Sequence, residues 1–209
     1  MLFYGTDFRH PVFTILTTEK WDMKINRYGQ AEALSKSDFQ TVLAAIANPT
    51  HRLIFAMCWY TCERPITILR LRVDQVYSDA ARQLPLSVLV LPSSSRKDRV
   101  TRECPVSVAL RQELKAYTPP PDGFLFPGAG AEGHLSFSAY YKALARTYAS
   151  LGLRGYSTYS TRRGSITELA RAGLSTRVIQ QVSGHRSLQS LQRYIEVDPR
   201  VTVRAIALL

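Results

Sequence analysis

Hydrophobic positions along the chain recur mostly at helical spacing. Phe39, Val42, Leu43 and Ile46 fall at intervals of three and four behind Ser35, a residue type that caps helix N-termini. Asn48-Pro49-Thr50 breaks that helix. Residues 51–62 (HRLIFAMCWYTC) are apolar nearly all round, which predicts a central helix buried on every side. Pro65 suits the first turn of a short helix running to about Leu71. The pattern then changes. Leu86 to Leu91 is apolar and partly β-branched and predicts a strand. Pro92 to Asp98 reads as a polar turn, and Val100 to Val106 as a second strand. Helical spacing returns at Val108, Ala109, Leu110 and Leu114. Thr118 to Gly133, rich in Pro and Gly, predicts a loop. Ser136 caps a helix through about Ser150. Ile166, Leu169 and Ala170 mark another, stopped at Gly173. Val178, Ile179 and Val182 mark a third, ended at Gly184, and a short helix follows over Leu188 to Ile195. Residues 1–34 show no sustained period and read as an extended arm or a short strand pair. The sum is an α+β fold, mainly α-helical with one small antiparallel β-hairpin. It predicts one domain over 35–209, with a tail over about 199–209.

Composition narrows the classes. The chain has 209 residues, 45% of them hydrophobic, enough for one packed core and against wholesale disorder. No stretch reaches the roughly 18 apolar residues of a membrane span. The N-terminus lacks a basic-then-apolar signal pattern. The cysteines Cys58, Cys62 and Cys104 have neither the number of a disulfide scaffold nor the paired spacing of a zinc site. No metal and no cofactor is expected.

Charge adds the first functional direction. Lys plus Arg is 27 against 16 Asp plus Glu, a net charge of +11. Only six of the 27 are lysine, and arginine's planar fork fits phosphate oxygens two at a time. From Ser136 onward there are eleven basic and three acidic residues, so the C-terminal third points to a polyanion.

Four separated segments carry candidate chemistry. Arg64 follows the buried helix, Lys97 lies in the hairpin turn, Arg162-Arg163 open a helix, and His185 precedes Tyr194 by nine residues. Each alone has a plainer reading as a helix cap, a solvated turn charge or a core aromatic. Their order and spacing are another matter. Thr61-Cys62-Glu63-Arg64-Pro65 with Ile66 through Arg72, Arg96-Lys97-Asp98 with Pro105 eight residues after the lysine, Tyr159-Ser160-Thr161-Arg162-Arg163-Gly164 with Gly173, and Gly184-His185-Arg186-Ser187 through Arg193-Tyr194 together resemble the tyrosine recombinase (phage integrase) family from about Leu34 onward.

The resemblance implies the catalytic-domain fold of that family. It also implies a site in which Arg64 and Arg162 hold the non-bridging phosphate oxygens and Lys97 protonates the departing 5′ oxygen. His185 would assist, and Tyr194 would attack phosphorus to leave a 3′-phosphotyrosyl bond. Arg72, Arg96, Arg99, Arg102 and Arg163 are the expected further DNA contacts. The expected partner is double-stranded DNA, bound by a dimer to tetramer of a protein monomeric when free, in the cytoplasm with the nucleoid. Two departures stand out. Tyr159 occupies the position of a usual histidine; it can donate a hydrogen bond but carries no charge. Thr67 stands where the family usually has an acid that steadies the first arginine. Alternative readings are a type IB topoisomerase-like relaxing enzyme and a DNA-binding protein of this fold impaired in catalysis. The tail Val201 to Leu209 would dock on a neighbouring subunit or on its own core.

Overall fold

A computed structural model describes residues 31–97 and 99–195, with positions 203, 206 and 207. Most of the expected arm and most of the tail lie outside the described residues. Ser35 caps α1 (Lys36–Ala45), its hydroxyl oxygen accepting the Asp38 N–H at 3.0 Å. The Asn48-Pro49 break is also a start. Asn48 accepts the His51 N–H at 3.0 Å and Pro49 opens α2 (Pro49–Tyr60), where a missing N–H costs nothing.

Every residue from Leu53 to Trp59 is buried, as the all-round apolar pattern requires. Around α2 lie α1, the short α3 (Pro65–Leu69), α4 (Val108–Ala116), α5 (Phe137–Ser150) and α6 (Ser160–Arg171). Phe39 of α1 stacks on Trp59 with ring centroids 4.3 Å apart. Each fully buried Ile, Leu, Phe or Met here contributes roughly 1.5–3 kcal/mol of transfer free energy.

The structure has two small sheets where the sequence predicts one. The first pairs β1 (Tyr77–Asp79) with β2 (Leu84–Pro85) around a bulge. Two or three residues are too few to show an alternation, so this pair leaves no periodic trace. The expected hairpin pairs β3 (Val88–Leu91) with β4 (Arg102–Pro105), antiparallel, with Leu89 opposite Cys104 and Leu91 opposite Arg102. Leu89 and Leu91 are buried while Val90 faces out, the period of two that a half-buried strand shows.

Two further helices follow, α7 (Thr176–Ser183) and α8 (Leu188–Gln192). Gly184 ends α7 in the left-handed region at φ 67°, as the sequence stop signal requires. Only Ile179 and Ser183 of α7 are buried. Ile179 joins a small second core made of Cys62, Ile166, Ile179 and Leu191, with Tyr194 and Ile195 packed against it. This satellite core brings the end of the described chain against the loop that leaves α2.

Candidate active site

The site forms where three pieces of backbone meet. The first is the turn from α2 into α3. Cys62 there takes φ 53°, a left-handed conformation that costs a non-glycine residue roughly 1–2 kcal/mol. Its carbonyl accepts a hydrogen bond from Arg162 Nη1. Arg64 caps α3 just beyond; its side chain is half-buried and makes no hydrogen bond or ion pair among the described residues.

The second piece is the start of α6. Arg162 lies in its first turn and is completely buried. Its Nη2 donates to the Ser183 carbonyl at 2.9 Å and lies 3.2 Å from His185 Nε2. Burial lowers the Arg162 pKa, while the Glu63 carboxylate pulls it back up. A guanidinium still keeps its proton there. Arg163 is buried too, donating to the Arg193 carbonyl at 2.9 Å, and Thr167 Oγ1 donates to the Tyr194 carbonyl at 2.8 Å. Helix α6 therefore supplies a site cation and also fixes the backbone on either side of Tyr194.

The third piece runs from α7 to the end of α8. The Ser183 hydroxyl donates to the Ile179 carbonyl at 2.7 Å, so at 2.7 Å from His185 Nδ1 it is left to accept. That assigns the Nδ1–H tautomer and leaves Nε2 to accept from Arg162 Nη2 at 3.2 Å. His185 is pushed down to about 3, first by burial and then by Arg162, Arg64 and Arg102, so the ring is neutral at pH 7. The Tyr194 ring lies 4.9 Å from the His185 ring, and Arg162 Cζ lies 5.8 Å from the Tyr194 centroid. Tyr194 meets the arginine and the histidine within a single chain.

The remaining expected residues divide. Lys97 is exposed on the turn before β4, and with Arg70, Arg96, Arg99, Ser93 and Ser94 it lines a cleft of about 510 Å³. Arg72 is exposed, its guanidinium 5.6 Å from the Phe124 centroid. Arg99 is also exposed. Arg96 is buried and Arg102 half-buried, because both turn inward to Glu63. Tyr159 is 41% exposed at the start of α6, and no hydrogen bond ties its hydroxyl to the other site residues.

The motifs assign no role to three contributors. Ser183 sets the histidine tautomer. Arg70 lines the cleft beside Lys97 and repeats the basic character of Arg72 two positions on. Glu63 is the lone acid in the run from His51 to Val73, and that isolation is the signal that would have found it.

A family model described as the phage integrase family matches residues 32–200. The chain belongs to that family. It is 31% identical over 136 residues to the tyrosine recombinase XerC of Nitrobacter winogradskyi, covering 61% of this chain and 42% of that protein. Its fold is similar to that of XerA recombinase, with a TM-score of 0.68 at 17% identity over 86% of this chain and 65% of the other. It is similar also to XerH recombinase bound to palindromic difH substrate, with a TM-score of 0.67 at 18% identity over 88% of this chain and 55% of the other. The chain spans about half the length of the curated relatives it matches. Its own described residues form helices packed around α2, with two small antiparallel sheets. Among its described residues no helix is long and apolar enough to cross a membrane.

Proposed function

We propose that this phage integrase family member cleaves and rejoins double-stranded DNA at specific sites, with Tyr194 as the nucleophile. The observation that carries the reading is the clustering of Tyr194, His185 and Arg162 within one protomer. A phosphodiester resists attack because it is anionic and its leaving alkoxide is poor. Arg64, Arg162 and the N-terminus of α6 concentrate positive charge that stabilises the added charge on five-coordinate phosphorus. The neutral His185, its ring 4.9 Å from that of Tyr194, assists the movement of the tyrosine proton. Tyr194 oxygen bonds to phosphorus as the bond to the 5′ oxygen breaks, and Lys97 on the exposed turn supplies the proton to that oxygen. The phosphotyrosyl ester keeps the energy of the original linkage, so a second 5′ hydroxyl reverses the step on a new strand. Strand exchange between two sites calls for several protomers, a dimer to tetramer on DNA. We infer from a DNA substrate a location in the cytoplasm with the nucleoid.

Nicked duplexes built from the sequences flanking its gene test this. The wild-type chain is expected to form an SDS-resistant adduct with the strand ending in a 3′ phosphate, and Tyr194→Phe to form none. An adduct formed by Tyr194→Phe would assign the nucleophile elsewhere. Joining of two separate duplexes, against relaxation of one supercoiled plasmid alone, distinguishes recombination from topoisomerase action.

A further inference from the structure

Glu63 is the most buried carboxylate among the described residues, at 1% exposure, and it stands between the two halves of the site. Its Oε1 meets Arg96 Nη1, and Arg102 Nη2 lies 3.3 Å away. Its Oε2 accepts the Arg64 backbone N–H at 3.0 Å and lies 3.8 Å from Arg162 Nη1. One carboxylate thus faces three guanidiniums and the peptide that begins the first arginine motif. Arg96 and Arg102 flank the exposed turn that carries Lys97, and Arg102 adds bonds to the Thr61 and Val182 carbonyls. Thr67, buried on α3, offers no charge of its own.

We propose that Glu63 is a positioning residue that ties the Lys97 hairpin to the arginine pocket, an inference that rests on the reading of the site given above. Buried cations are tolerated only when paired, and charge-assisted bonds fix geometry more tightly than neutral ones. One oxygen seats the hairpin through Arg96 and Arg102. The other faces Arg162 and holds the Arg64 backbone. A displacement of the hairpin therefore cannot occur without loosening the pocket. With one negative charge against three positive ones, Glu63 orders the arginines and leaves a surplus of positive charge for a phosphate.

Glu63→Gln keeps the shape and removes the charge. On the free protein, hydrogen exchange of the ladder amides in β3 and β4 is expected to speed at least tenfold, with α5 unchanged. On nicked duplex, adduct formation at saturating DNA is expected to slow roughly 10–100-fold while DNA affinity changes less than about threefold. Glu63→Asp, which keeps the charge on a shorter stem and folds more readily, is expected to recover part of the rate. Wild-type exchange in the hairpin, an unchanged adduct rate, or a Gln variant better than the Asp variant would each overturn the proposal. The exchange measurement needs no DNA. A wild-type chain that forms no adduct would therefore overturn the functional reading alone, and hairpin exchange would still decide whether Glu63 holds the hairpin.

Discussion

Adding one methyl group at Gly164 tests how α6 is seated. Gly164 follows Arg162 by two residues, where α6 meets α2 and the chain entering α1. A Cβ built there lies 2.2 Å from the Leu34 carbonyl oxygen and 2.7 Å from Trp59 Cζ3. Neither neighbour yields easily. Leu34 is backbone, tied to α6 by its N–H on the Ser160 carbonyl at 3.3 Å, and Trp59 is stacked on Phe39. In an open helix Gly→Ala gains about 1 kcal/mol. Forcing a methyl into a filled interface costs about 1–3 kcal/mol, and two approaches under 3 Å place this site at the upper end. The net expectation is a loss of about 2 kcal/mol, or roughly 4–8 °C in Tm for a chain of this size. Thermal and urea melts of Gly164→Ala read that directly. The same shift moves Arg162, so adduct formation is expected to fall further than the folded fraction does, since a 1 Å misplacement costs on the order of 100-fold. A rise in Tm would refute the reasoning, because it would show helix propensity winning where the structure leaves no room.

Two other expectations concern the satellite core. The unfolded His185 titrates near 6.5 and the folded one near 3, so between these values the unfolded chain binds more protons. Its contribution is complete above pH 6.5 and is lost as pH falls towards 3; acid melts of wild type are expected to slope more steeply over that window than those of His185→Asn, and equal slopes would remove the assignment. Ile179→Ala empties a fully buried position in a core of only four buried side chains, at a cost of roughly 2–5 kcal/mol. Because Ile179 is the one buried apolar side chain of α7, hydrogen exchange is expected to speed in α7 and α8 before α2, with adduct yield falling alongside; uniform loss across all helices would contradict this.

The sequence by itself determined the helices. Ser35, Ser136 and Gly184 mark boundaries through local backbone chemistry, and the all-round apolar run 51–62 has no stable place except a core. Motif order likewise marked Arg64, Lys97, Arg162, His185 and Tyr194, of which the fold brings Arg162, His185 and Tyr194 side by side. The β1–β2 pair stayed hidden because strands of two and three residues carry no period. Tertiary structure alone decided which arginines face solvent. Arg72 and Arg99 do, whereas Arg96 and Arg163 are drawn inside by a carboxylate and a carbonyl far away in sequence. Charge is written in the residue type. Its use depends on which acceptors the fold carries to within 3 Å, and those lie 30 and 33 positions distant along the chain.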